Sequence, residues 1–227
     1  ARSNTDIWGK RYSAMIISAP DSADLLQAAS WSVTDSLPYD STYLDGKFGA
    51  WLEGNAVVTP DGNVADLLRV DYAPGPEYAA LIRLRDSVSF DPFDPEKDFV
   101  RMPGGAKKFT VRYDSLSGRY WSLVNYVTQE WAGKQNPAWV RNTLALSSSP
   151  NLQEWTVHRT VLHHPDIAKH GFQYADWLFD GNDIVLLSRT AYDDNGTGAH
   201  NCHDANYMTF HRIKNFRKAL TEQAGNR

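Results

Sequence analysis

Three carboxylates stand out for the company they keep. Glu53 lies in Trp51-Leu52-Glu53-Gly54-Asn55, Asp71 follows Arg69 by two residues, and Asp176 sits between Tyr174 and Trp177 in an apolar stretch. Two carboxyl groups, one protonated to help a leaving group and one ionised to attack or to activate water, are the equipment of glycoside hydrolysis. The apolar neighbours of Glu53, with no cation beside it in sequence, predict a carboxyl held away from water with a raised pKa, which suits a general acid. Arg69 and Arg189 add a second capability, because a planar guanidinium grips a carboxylate with two parallel hydrogen bonds. An acidic ligand is one reading of these arginines, and internal ion pairs with Asp71 and Asp176 are the other. Asn55, His170, Tyr174, His203 and Asp204 supply further polar contacts. His200, His203 and Asp204 have a spacing compatible with a divalent cation, but a polar network closing a loop uses the same residues, and no metal or other cofactor is assigned.

Residues so far apart need a scaffold that gathers them, and the sequence repeats. Four apolar segments, Tyr12 to Ser18, Tyr78 to Leu84, Asn142 to Ser148 and Asn206 to Arg212, are spaced by 66, 64 and 64 residues. Two of them run into matching turns, Ser18-Ala19-Pro20-Asp21 and Ser148-Ser149-Pro150-Asn151, each followed by a tryptophan that opens another strand, Trp31 or Trp155. Between these landmarks lie hairpins: Trp51–Thr59 with Asn63–Tyr72 across Pro60-Asp61-Gly62, Lys107–Tyr113 with Arg119–Val127, and Phe172–Phe179 with Asp183–Tyr192. Four antiparallel strands per repeat predict an all-β fold, a β-propeller of four-stranded antiparallel blades. The chain would hold about three complete blades plus part of an earlier one that includes Tyr12–Ser18. Helix is confined to a turn or two at Ser22–Ala29 and to Asn215–Gln223.

In a propeller the first strand of each blade lines the axis, and one mouth is formed by the starts of first strands and the loops between second and third strands. That geometry predicts convergence of Glu53, Asn55, Arg69, Asp71, His170, Tyr174, Asp176 and Arg189 with the loop Ala191 to Ala205, which carries His203 and Asp204. His163-His164 falls in an inter-blade connector. A ring of five or six such blades needs roughly 325 to 390 residues. Residues 1–227 are therefore expected to be a single propeller region, the C-terminal part of a longer one, with a further segment or chain completing the ring.

Composition narrows the partners. With 42% apolar and 22% charged residues the chain is not disordered. A net charge of −4 gives no electrostatic reason to expect nucleic acid or an anionic membrane, and no apolar run nears the ~20 residues of a membrane span. The single cysteine, Cys202, excludes an intramolecular disulfide. Aromatic residues reach 12%, with 15 Gly and 11 Pro, as suits a turn-rich β protein that handles sugars. Trp131 and Trp139, in the loop Thr128 to Arg141, are the tryptophans best placed to stack on a sugar.

Trp51-Leu52-Glu53-Gly54-Asn55-Ala56-Val57-Val58, Gly171-Phe172-Gln173-Tyr174-Ala175-Asp176-Trp177 and His203-Asp204-Ala205-Asn206-Tyr207, with the blade rhythm, resemble bacterial sialidase-like glycoside hydrolases built as five- or six-bladed β-propellers. The likeness runs through nearly the whole chain. It implies a secreted or periplasmic glycoside hydrolase acting on an oligo- or polysaccharide, and it makes Tyr174 a candidate sialidase-type nucleophile. The sialidase turn Ser-x-Asp-x-Gly-x-x-Trp is not intact. Ser149-Pro150-Asn151-Leu152-Gln153-Glu154-Trp155 is nearer the Ser-x-Asp-Leu-x-x-Trp turn of arabinanase- and fructan-type propellers, so the motif does not single out sialic acid. A carbohydrate-binding propeller without turnover and a protein-interaction propeller are the competing expectations.

Overall fold

The computed structural model describes residues 8–72, 77–196 and 198–222. Its strands are β1 (Ile17–Ser18), β2 (Ser32–Val33), β3 (Ala50–Val58), β4 (Val64–Asp71), β5 (Tyr78–Arg83), β6 (Phe99–Arg101), β7 (Thr110–Asp114), β8 (Arg119–Asn125), β9 (Thr143–Ser149), β10 (Thr156–His163), β11 (Gly171–Asp180), β12 (Asp183–Ala191) and β13 (Tyr207–Ile213). They form successive antiparallel meanders: β1-β2, β3-β4-β5-β6, β7-β8-β9-β10 and β11-β12-β13. This is the expected all-β propeller architecture, and the strands spaced by about 65 residues are the third strands of their blades.

The turns follow from their residues. At the β3–β4 hairpin Gly62 takes φ +85°, the left-handed region that favours glycine, while Asp61 accepts from Thr59 Oγ1 and Asn63 Nδ2. In the β9–β10 turn Asn151 Oδ1 accepts from Gln153 N and Glu154 N, and Trp155 Nε1 donates to Leu152 O at 2.9 Å. The partial first blade repeats the device, with Asp24 accepting from Leu26 N and Trp31 Nε1 donating to Leu25 O at 3.1 Å. Asparagine does the work of aspartate here because a carbonyl oxygen caps the turn as well as a carboxylate.

Three apolar cores fill the wedges between sheets. Phe48, Trp51, Leu68 and Val70 pack against Ala14 and Leu37 of the partial blade. Leu67, Leu81 and Val100 meet Phe109, Val111 and Val124, and Trp121, Leu123 and Leu146 meet Trp177, Leu186 and Phe216. The facing pairs repeat in register: Leu67 opposite Leu81, Leu123 opposite Leu146, and Leu187 opposite Phe210. The first two pairs are at most 2% exposed, whereas Leu187 and Phe210 are 49% and 64% exposed.

Several expectations change. The last sheet has three strands among the described residues, because the chain turns at Asn215 (φ +48°) and drives Phe216 into the core against Trp121 and Phe179. That segment, a 3-10 turn at Phe216–Lys218 and a helix at Ala219–Glu222, serves as a plug; Gln223 lies outside the described residues. The helix foreseen at Ser22–Ala29 shrinks to a 3-10 turn at Ala28–Ser30. The strand foreseen from Lys107 begins at Thr110, since Lys107 is wholly buried in an ion pair with Glu77. Asn55, expected at the mouth, serves the fold: its amide accepts from Val111 N and donates to Val111 O, both at 3.1 Å, tying β3 to β7.

One buried carboxyl carries a cost. Asp66, on β4, has no ion pair among the described residues and lies against Gly54, where a Cβ would stand 2.5 Å from both its oxygens. Burial raises its pKa to about 6, against the pull of Lys108 and the Asn55 N–H. The folded state therefore holds a proton that the unfolded chain releases near 3.8. The associated stability is complete below 3.8 and is lost as pH rises through about 6. Asp66→Asn keeps the shape and an acceptor for Asn55, so it should stabilise the protein by up to about 3 kcal/mol at pH 8. The gain should vanish towards pH 4; urea unfolding at both pH values measures it.

Candidate active site at the open mouth

Glu53 occupies the β-bulge between Trp51 and Gly54, where the β3–β4 register slips and a side chain is re-aimed. Arg69, near the end of β4, donates from Nη1 to Glu53 Oε2 at 3.0 Å and from Nε to Ala106 O at 2.8 Å. Glu53 is thus exposed and ion-paired, not withdrawn from water as its neighbours in sequence suggested, because the cation comes from the adjacent strand. Asp71 takes the other side of Arg69. It lies over Gly49, whose missing Cβ would be 2.1 Å from Asp71 Oδ2, and it makes no side-chain hydrogen bond or ion pair among the described residues. Burial pushes its carboxyl above the ordinary range, with Arg69 pulling it back. Glu53 and Arg69 open into a cleft of about 650 Å³.

Across the mouth a second group is built around Tyr174, held at φ +50° within the bulge of β11. The Arg189 guanidinium lies 5.0 Å and that of Arg141 6.0 Å from its ring centre. Arg141 is only 4% exposed, yet its partners are neutral: Ala138 O at 2.9 Å and Gln173 Oε1 at 2.8 Å. Burial, then the nearby Arg69 guanidinium, disfavour its charge, and Arg189 adds to the repulsion. The wholly buried Gln173 donates from Nε2 to Cys202 O and His203 O, each at 2.8 Å, and Arg189 Nη2 donates to the same His203 O at 2.6 Å. The His203 ring contacts Asp204 Oδ1 at 3.2 Å and stands edge-on to Tyr174 and to the exposed Trp139. Asp204 is exposed, its pKa lowered by His203 and then Asn201. Arg69, Arg141 and Arg189 are thus near enough to repel one another, and among the described residues Arg69 alone of them has a carboxylate partner. A buried cation without a counter-charge is expensive, and an anionic ligand removes the expense.

Two other expected members keep different partners from those foreseen. Asp176 lies midway along β11, opposite Leu187; it is exposed and paired with Arg112 at 3.2 Å, so it is not the secluded carboxyl expected. His170 is buried in the connector ahead of β11 rather than at the mouth. Its Nδ1 meets Asp166 Oδ2 at 2.7 Å, its Nε2 accepts from Asp193 N, and its ring stacks on His164 at 3.4 Å. His164, Asp166 and His170 have a spacing that a metal would accept. Both carboxylate oxygens and three of the four ring nitrogens already have hydrogen-bond partners, so the trio reads as a structural network. A larger cavity of about 900 Å³ between the first two full blades is lined by Met102, Tyr126, Pro137 and Trp155. Glu77, the carboxylate in its lining, is committed to Lys107 and Gly104 N.

Arg141 and Gln173 are the site residues that sequence reasoning missed. Arg141 does close the loop between the second and third strands of its blade, so the rule that selected Arg189 applied to it too. Gln173 carries no such signal, since nothing local distinguishes a bridging amide from a surface one.

A scan against protein-family models finds no match, and a search of curated proteins finds none either. Solved structures do align. An α-L-arabinanase of Penicillium chrysogenum complexed with arabinobiose matches at 10% identity and TM-score 0.47, over 78% of this chain and 49% of its own. A leech intramolecular trans-sialidase matches at 16% and 0.46, over 86% and 27%. The Bombyx mori β-fructofuranosidase matches at 13% and 0.47, over 79% and 40%. The chain spans about half the length of the arabinanase.

Because Gln173 joins Arg141 to the loop that holds Arg189, Gln173→Ala should unpair one guanidinium nitrogen and the Cys202 carbonyl, while His203 O keeps its bond from Arg189. The expected loss is about 3 kcal/mol in denaturant unfolding, with faster amide exchange confined to residues 199–204.

Proposed function

We propose that this chain forms part of a glycoside hydrolase whose substrate carries a carboxylated sugar. The observation that bears most weight is Arg141, a buried guanidinium with no carboxylate partner among the described residues, its charge opposed by the nearby Arg69 and Arg189. Three guanidinium groups offer more donors than the protein's own acceptors use, and a sugar carboxylate matches their fork geometry. Asp71, its pKa raised by burial, supplies the proton to the glycosidic oxygen as the bond to the anomeric carbon breaks. Glu53, oriented by Arg69, assists attack on that carbon and takes up the proton of the incoming water. The exposed face of Leu187 and Phe210, equivalent to pairs buried in the other two blades, supports the further reading that another antiparallel blade covers it within a larger propeller.

Glu53→Gln and Asp71→Asn should each lower turnover by at least ~100-fold with folding intact. Arg141→Ala should raise KM for an aryl glucuronide or aryl sialoside ~10-fold or more, the scale of a charge-assisted hydrogen bond, and leave a neutral aryl arabinofuranoside unaffected. Equal activity of the amide variants would overturn the acid–base assignment. Sugar binding without turnover in the parent would point to a carbohydrate-binding propeller.

A further inference from the structure

The cleft beside Glu53 and Arg69 has a second wall that the proposed chemistry does not use. It is formed by Trp8, 60% exposed, and Tyr12, also exposed, from the segment ahead of β1. Large aromatic rings in water usually indicate a partner for their faces. This pair is fixed in place. Gly9, at φ +84°, packs so tightly on the start of β3 that a Cβ would stand 2.6 Å from Ala50 Cβ and 3.0 Å from Gly49 O. Tyr12 N closes the turn onto Gly9 O at 3.1 Å, and the two rings meet edge to face at 5.8 Å and 79°. An exposed indole bolted to the first strand of a blade, next to the Glu53 carboxylate, is a pre-formed platform rather than a loose tail.

Resting on the hydrolase reading above, we infer that Trp8 and Tyr12 form a stacking wall for a second, uncharged sugar of the substrate. The carboxylated unit lies towards Arg69, Arg141 and Arg189, and Arg11, which lines the cleft with Trp8 and Tyr12, borders the neighbouring unit. That uncharged neighbour presents its C–H face to Trp8, and the bond between the two units passes Glu53. The substrate class is then an acidic oligosaccharide of at least two units. Specificity would be divided, with charge read by the arginines and ring shape by the aromatic wall.

The test is a tryptophan-fluorescence titration of the intact chain with lactose, arabinobiose and 3′-sialyllactose, run in parallel with Trp8→Ala and Trp8→Phe. At least one neutral disaccharide should perturb the parent's fluorescence. Trp8→Ala should abolish that signal and weaken 3′-sialyllactose about tenfold, Trp8→Phe should restore part of the affinity, and the melting temperature should not change. If Trp8→Ala binds all three sugars as the parent does, or if no sugar perturbs the parent, the wall is not a subsite. Hydrolysis of an aryl sialoside or aryl glucuronide by both parent and Trp8→Ala would show in either case that the catalytic reading stands independently.

Discussion

Among the described residues no β-ladder joins one blade to the next, so everything depends on holding separate sheets at a fixed angle. Face-to-face burial does most of this, through the repeated leucine pairs of β4–β5 and β8–β9 and the large rings of Trp51, Trp121 and Trp177. Directionality comes from side chains that reach a neighbouring backbone. Asn55 clamps Val111, Trp177 Nε1 donates to Thr110 O, Arg112 Nε to Trp177 O, and Asn125 Nδ2 to Phe172 O. Such bonds are worth ~1 kcal/mol each, but they fix where one blade meets the next, which apolar contact alone does not.

The same geometry makes the mouth. Arg69, Asn125 and Arg189 occupy one equivalent position in three blades, at the end of the second strand. Arg69 and Asn125 reach across to the entry of the following blade, at Ala106 O and Phe172 O. Arg189 turns instead to His203 O in its own loop. A position whose first task is stitching thus places guanidinium groups round an opening, and a ligand can use the hydrogen atoms the stitching leaves over.

Order at the mouth comes from tethering loops rather than from regular structure. Cys202 Sγ lies 3.4 Å from Trp139 O, Gln173 ties Arg141 to residues 202 and 203, and Lys169 pairs with Asp193 at 3.2 Å. Groups that must meet a developing charge work best when fixed beforehand, and a buried amide network achieves this at the ends of long loops. The cost shows in Arg141 and Asp66, two buried ionisable groups without opposite-charge partners in contact among the described residues.

The repeat of about 65 residues, the hairpins and the tryptophan-capped turns were legible because blade strands are local: each pairs with its neighbour in sequence through a short turn. The equivalence of Arg69 and Arg189 was legible for the same reason. What the sequence could not show is which charge meets which across a strand pair or between blades. Glu53 looked isolated because its arginine sits 16 residues away on β4, and Asp176 looked secluded because its exposure depends on what packs beside β11. Asn55 and His170 read as ligands, but their partners, Val111 and Asp166, make them structural. Gln173 became visible only when folding brought Arg141 and the loop carbonyls of residues 202 and 203 within hydrogen-bonding distance of one amide. Strand periodicity is a property of neighbours along the chain, whereas desolvation and ion pairing belong to neighbours in space.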